Sequence, residues 1–253
     1  RTGGRIGVYA LDVFSRRSFA YRADEAFAMC STFKWLLAAQ LLDAVDRKQL
    51  RLDASVRIRQ SDILEYAPVV STQLSRGSMT LRELAEAAMT LSDNSAANLL
   101  MRQLGGPVAL TSFIRKLGDY TTRLDRIEPE LNENVRGDMR DTTTPRGMVT
   151  CMQTVLTGRT LLPSSRELLI QWLRACKTGS DRLRAGIPES WHAGDKTGAG
   201  ANHAFNDVAI AFPPKGGPLL IAVYMSDCTE PLATLSHAHS SIASSIVAKV
   251  KQG

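Results

Sequence analysis

Ser31 and Lys34 stand three residues apart in Ser31-Thr32-Phe33-Lys34, at the head of a strongly apolar stretch. At helical spacing, residues i and i+3 share a face, so the Ser31 hydroxyl and the Lys34 amine can meet. A lysine inside an apolar helix is costly while charged and unpaired, so it must be paired, neutralised or both. Such a lysine can take or steer a serine proton, which is what a covalent nucleophile needs. A helix start under Ser31 also offers free backbone N–H groups to a developing oxyanion. The pair alone carries little weight, because Ser-x-x-Lys recurs by chance in roughly half of chains this long. No Gly-x-Ser-x-Gly elbow and no His/Asp partner near Ser31 competes with it.

Three further elements share the chain with that pair. Ser92-Asp93-Asn94 falls between two helical patterns, where Asn94 or Ser95 would also serve as the N-cap of the second helix. Lys-Thr-Gly occurs twice. Lys177-Thr178-Gly179 reads as a helix stop with a glycine cap. Lys196-Thr197-Gly198 leads through Ala199 and Gly200 into late strands, and its glycines would let a substrate lie close to strand backbone. The copy at Lys196 is therefore the functional candidate and the copy at Lys177 the bystander. Glu128-Pro129-Glu130-Leu131-Asn132 lies in a polar stretch, where Glu128 can present a carboxylate to a water that an amide such as Asn132 helps to hold. Pro129 admits a cis bond there, and Arg126 and Asp141 can tie the ends of the stretch together.

The elements that must hold these residues follow from periodicity. Arg5 to Asp12 reads as a strand that turns back into a second strand ending at Tyr21. Thr32 to Val45 is a helix apolar almost all round, hence buried, with Ser31 as its N-cap or first-turn residue. Helical patterns recur at Leu81 to Thr90, Ser95 to Leu104, Pro107 to Leu117, Pro145 to Thr157 and Ser165 to Ala175. Arg123 to Thr144 lacks periodicity, and a loop that long inside a compact domain is usually functional. Strand patterns return at Ala204 to Phe212 and Leu219 to Ser226. A last helix from Thr234 to Lys251 carries Leu235, Ala238, Ile242, Ile246 and Val250 on one face. The expected fold is α/β (α+β): one antiparallel sheet built from both termini, flanked by helices, with an all-helical region inserted. That divides the chain into 1–25 with 178–253, and an all-α part over 26–177 that contains the 123–144 loop.

The bulk composition narrows the function classes. With 253 residues, 44% hydrophobic and 22% charged, the chain can build a core without metal or disulfide staples. The net charge of +6 is spread among interleaved acids with no long like-charge block, which fits a solvated basic surface rather than a nucleic-acid site. Cys30, Cys151, Cys176 and Cys228 form no C-x-x-C pair and have no histidine at zinc spacing, so no metal site is expected, and their pairing stays open. No apolar run reaches the roughly 18 residues of a membrane span. The sequence enters a strand pattern directly from Arg1, with no signal-peptide n-region or h-region, so an exported protein would start here beyond its cleavage point.

In their order along the chain, Ser-x-x-Lys, Ser-Asp-Asn, Glu-x-x-x-Asn and Lys-Thr-Gly make this sequence resemble the class A serine β-lactamases over nearly its whole length. The resemblance implies the fold shared with penicillin-binding transpeptidases and hydrolysis of the β-lactam amide of penicillins and cephalosporins, hence antibiotic resistance. It implies Ser31 as nucleophile, Lys34 as its proton partner, and Glu128 with Asn132 holding a deacylating water. Ser92 would relay a proton to the leaving nitrogen, and Asn94 would bind the substrate's side-chain amide. The backbone N–H groups of Ser31 and Ala199 would form the oxyanion hole. Lys196, Thr197, Gly198 and Ser92 would face the substrate carboxylate, with Tyr66 as an aromatic wall. It further implies no cofactor, a small-molecule β-lactam as the only partner, a monomer, and a periplasmic or secreted location.

Two departures from the family pattern matter. Many members carry an arginine a few residues beyond Lys-Thr-Gly; this chain reads Ala201-Asn-His-Ala-Phe205 there, and Arg182 matches the alternative placement. In carbapenem-hydrolysing relatives, a cysteine at the Cys30 position pairs with one just after Lys-Thr-Gly; Gly200 stands there here, and Ala199 lacks a hydroxyl common in those relatives. The expectation is therefore weak carbapenem turnover, with Cys30 a small packed residue. The competing readings are a penicillin-binding D,D-peptidase and a β-lactam sensor domain, both of which would lack the carboxylate at Glu128.

Overall fold

Arg5–Asp12 forms the first strand, β1, with Gly7, Val8 and Ala10 buried. The Asp12 carboxylate accepts from the Phe14 amide at 3.0 Å and the Ser15 hydroxyl at 2.6 Å, closing the turn into β2 (Ser18–Tyr21). This computed structural model describes residues 2–252. After β3 (Phe27–Ala28) come α1 (Phe33–Asp46), β4 (Ser55–Arg57) and β5 (Ser78–Thr80). Helices α2 (Leu81–Thr90), α3 (Asn94–Gln103) and α4 (Gly106–Lys116) follow. A long loop ends at β6 (Thr142–Thr143), ahead of α5 (Pro145–Met152) and α6 (Pro163–Arg174). Strands β7 (Gly194–Gly200), β8 (Ala204–Ala211) and β9 (Leu219–Ser226), then α7 (Leu232–Lys251), complete the chain.

The main sheet has the order β2-β1-β9-β8-β7 and is antiparallel throughout. Its two halves join where Arg5 lies opposite Ser226 and Asp12 opposite Leu219, so both ends of the chain build one sheet, as expected. Every residue of β8 and β9 is buried, because helices cover both faces. Val208, Ile210, Leu220, Ala222 and Tyr224 join the core that includes α1, α5 and α6. Ala209, Ile221, Val223 and Met225 face the other way, onto Leu235, Ile246 and Val247 of α7. Each large aliphatic side chain so buried contributes about 1.5–3 kcal/mol. Helix α1 has neighbours in α2, α3, α4 and α6, which explains why its sequence is apolar on nearly every side.

Several local expectations shift. Ser31 does not cap α1; it lies in a 3-10 turn, Cys30–Thr32, in front of it. Thr32 is the N-cap of α1, already in helical conformation and without a side-chain cap. Asp93, rather than Asn94 or Ser95, caps α3, its carboxylate accepting from the Ala96 amide at 2.8 Å. The helix expected to run from Pro145 to Thr157 stops being α at Met152 and widens into a π turn over Gln153–Thr157. All four cysteines are buried free thiols.

Candidate active site

The 3-10 turn under Ser31 packs against β7 and β8, so the serine stands where the helices meet the sheet edge. The approach is tight. A Cβ at Gly198 would sit 2.7 Å from the Met29 carbonyl oxygen, so only glycine lets β7 come this close to the turn. Ser31, Tyr66, Ser92, Asn94, Asn132, Thr197, Gly198, Ala199 and Arg182 border one cleft of about 270 Å³. Nine of the residues singled out from the sequence thus converge from segments far apart in the chain. Lys34, Glu128 and Lys196 lie beneath them, each at most 1% exposed.

Ser31 and Lys34 do meet, but through a third residue. Glu128 Oε1 accepts from Ser31 Oγ at 3.3 Å and from Lys34 Nζ at 2.9 Å, and Asn132 Nδ2 donates to Glu128 Oε2. Lys34 Nζ also donates to the Ser92 carbonyl at 2.7 Å and to Asn94 Oδ1 at 2.6 Å. Burial lowers the pKa of Lys34, and the Glu128 charge opposes that shift. Asn98 clamps the backbone of Glu128 from both sides, accepting from its amide at 3.0 Å and donating to its carbonyl at 2.8 Å. The Glu128–Pro129 peptide bond is cis. Asn132 Oδ1 is sealed from solvent with no hydrogen-bond partner among the described residues.

Ser92 has a left-handed backbone, φ 58°, unusual for a residue with a side chain and held by what surrounds it. Asp93 anchors that bend, its carboxylate accepting from the Val69 and Val70 amides at 2.9 Å each. The bend carries the Ser92 hydroxyl to Lys196, whose Nζ donates to it at 3.0 Å. Burial, with the nearby Lys34 charge adding to it, pushes Lys196 down to about 8. Tyr66 is half exposed at the rim and donates its hydroxyl to the Leu91 carbonyl at 3.1 Å. Arg126 and Asp141 stand away from the cleft and close the base of the long loop. Arg126 Nε donates to Asp141 Oδ2 at 2.6 Å, and Asp141 Oδ1 accepts the Asp125 and Arg126 amides at 2.7 and 2.9 Å.

Two neighbours of these residues escaped the reading of the sequence. Thr178, from the Lys-Thr-Gly copy set aside as a bystander, borders the cleft, and its hydroxyl lies 2.5 Å from that of Thr197. Lys177 beside it is exposed, while Thr178 reaches the cleft. Gly179 is required there, because a Cβ would come within 1.7 Å of Asp195 Oδ2. The repeated tripeptide was the available signal. Phe205 is the second: the Arg182 guanidinium carbon lies 3.5 Å from its ring centroid. Nothing in sequence spacing announces that stack.

A serine, a lysine and a carboxylate on one hydrogen-bonded path, with a second lysine at the cleft wall, define a serine hydrolase that works by acyl transfer. Comparison with known proteins gives the family. The profile of the β-lactamase enzyme family matches residues 1–250. The chain is 43% identical over 225 residues to β-lactamase CTX-M-97 of Escherichia coli, covering 89% of this chain and 77% of that protein. It is 43% identical over 223 residues to the carbapenem-hydrolysing β-lactamase KPC of Klebsiella oxytoca, covering 88% and 76%. The solved structure of the class A β-lactamase of the last common ancestor of Gram-negative bacteria superposes with a TM-score of 0.97 at 48% identity, covering 99% of this chain and 95% of that one. A putative class A β-lactamase of Rhodopseudomonas palustris gives 0.96 at 47% identity, covering 98% and 95%. The chain belongs to the β-lactamase enzyme family and is a class A serine β-lactamase. The D,D-peptidase and sensor readings give way to it. Among the described residues, no helix is long and apolar enough to cross a membrane.

Proposed function

We propose that this enzyme hydrolyses penicillins and cephalosporins through an ester on Ser31 that a Glu128-activated water clears. The observation that carries the reading is the Glu128 carboxylate, with one oxygen on Ser31 Oγ and Lys34 Nζ and the other on Asn132. In acylation Ser31 Oγ attacks the lactam carbonyl and loses its proton to the Lys34–Glu128 pair. The oxyanion is taken by the backbone N–H groups of Ser31 and Ala199. The lactam C–N bond then breaks, and the nitrogen takes a proton through Ser92, which hydrogen-bonds Lys196 at 3.0 Å. In deacylation Glu128 removes a proton from water as it attacks the ester, and Ser31 leaves with a proton restored. Asn132 Nδ2, which donates to Glu128 Oε2, orients the carboxylate for that step.

Lys196, Thr197 and Arg182 hold the substrate carboxylate at one end of the cleft, Asn94 holds the side-chain amide, and Tyr66 forms the wall. The cations Lys196 and Arg182 also favour entry of an anionic substrate. Carbapenems are poor substrates in this reading, since Cys30 is a free thiol packed against Gly200, where a Cβ would lie 2.7 Å from its Sγ. We read the chain as two subdomains, 1–25 with 178–253 and 26–177, acting as a monomer outside the cytoplasm. The test is a chromogenic cephalosporin under excess substrate. Many turnovers per enzyme, abolished by Ser31→Ala, are expected; turnover that survives Ser31→Ala removes the nucleophile assignment.

A further inference from the structure

The guanidinium of Arg182 is buried and held at one nitrogen. Nη1 donates to the Gly198 carbonyl at 3.0 Å and the Asn206 carbonyl at 2.7 Å, and Nε is sealed without a partner. Nη2 alone has neither a hydrogen bond among the described residues nor a place among the sealed atoms, and Arg182 borders the cleft. The guanidinium that carries this free donor rests on the ring of Phe205, its central carbon 3.5 Å from the ring centroid. Phe205 is 5% exposed and sits on β8 directly opposite Ala199. His239 of α7 meets the Phe205 ring edge-on, at 5.5 Å and 76°, and is itself fixed by a 3.0 Å bond between Nδ1 and the Leu235 carbonyl. Burial holds His239 down at about 4, so it is neutral at working pH and puts no second cation beside Arg182.

We propose that Phe205, braced by His239, is a positioning residue that aims Arg182 at the anionic group of the substrate and so sets the preference for carboxylate-bearing β-lactams. The proposal rests on the carboxylate-binding reading of Arg182. Replacing the ring removes both the flat surface and the cation–π attraction while leaving the two carbonyl bonds to hold Nη1 alone. The guanidinium then turns about those bonds, and Nη2 no longer points reliably into the cleft.

A double-mutant cycle in the full-length enzyme tests this. Phe205→Leu should raise KM for benzylpenicillin about tenfold with kcat within about twofold. Arg182→Ala should raise it at least as much. The double variant should be no worse than Arg182→Ala by more than about twofold, because the ring acts only through the arginine. Independent effects that multiply, or an unchanged KM in Phe205→Leu beside a raised one in Arg182→Ala, would overturn the positioning role. An unchanged KM in Arg182→Ala overturns the carboxylate reading itself, and with it the proposal. A second readout avoids activity altogether: the side-chain N–H resonances of Arg182 should carry an upfield ring-current shift that Phe205→Leu abolishes. Its absence from the unsubstituted enzyme would also defeat the proposal.

Discussion

Replacing Glu128 with alanine separates the two halves of the reaction. The Glu128 and Lys34 side chains are both fully buried, with 2.9 Å between Nζ and Oε1. Stranding a charged partner of such a pair costs about 3–5 kcal/mol. Lys34 can escape most of that cost. Burial already lowers its pKa, and Glu128 is the largest influence working the other way. Without Glu128 the pKa of Lys34 falls further, favouring the neutral amine, still held by the Ser92 carbonyl and Asn94 Oδ1. A neutral Lys34 can accept the Ser31 proton, so acylation continues. Deacylation has no such substitute and slows by the roughly 10²–10⁴ that a general base supplies. Glu128→Ala mixed with benzylpenicillin should release product slowly and accumulate one equivalent of ester on Ser31, read by intact mass after acid quench. Turnover at the unsubstituted rate would refute the role of Glu128. A folded, inactive variant with no adduct would refute the claim that deacylation is the step it governs.

The remaining outcomes follow from individual contacts. Lys196, held at about 8, should give kcat/KM for benzylpenicillin an alkaline limb near that pH, because the cation facing the carboxylate is present below its pKa and lost above it; a profile flat well past that value would contradict the assignment. Asp141→Ala removes acceptors for the Arg126 side chain and two loop amides, and should cost about 3 kcal/mol, or roughly 10 °C in Tm, while slowing deacylation more than acylation. An unchanged melting curve would show that the pair does not anchor the loop. Gly179→Ala drives a Cβ against Asp195 and should lower stability by at least about 1 kcal/mol and raise KM by displacing Thr178 from Thr197. Unaltered Tm and KM in that variant would remove Thr178 from the site.

Much of this site was legible because its residues sit in short motifs whose local geometry is itself informative. Ser31 and Lys34 share a turn, Gly198 must be small, and Glu128 and Asn132 lie on one short loop turn. The sheet was legible from its two outer stretches, Arg5 to Asp12 and Leu219 to Ser226, because strand period and turn residues are written locally. What stayed hidden depends on approach between distant segments. Ser31 meets Glu128 across 97 residues, so the shared carboxylate oxygen has no local trace. Thr178 reaches Thr197 only because β7 runs beside the end of α6, and Lys-Thr-Gly at 177 also makes sense as a helix stop. Phe205 looked like an ordinary strand residue, and only folding puts Arg182 over it. Asp93 displaced its neighbours as the cap of α3 because its second oxygen also holds the Val69 and Val70 amides.

The lifetime of the ester on Ser31 in the unsubstituted enzyme bears most directly on the function. Rapid-quench intact-mass spectra with excess benzylpenicillin should show a transient adduct on Ser31 that vanishes as substrate is consumed, with product far exceeding enzyme. A stable one-to-one adduct, with product never exceeding one equivalent, would mean that the Glu128–Asn132 arrangement does not clear the ester.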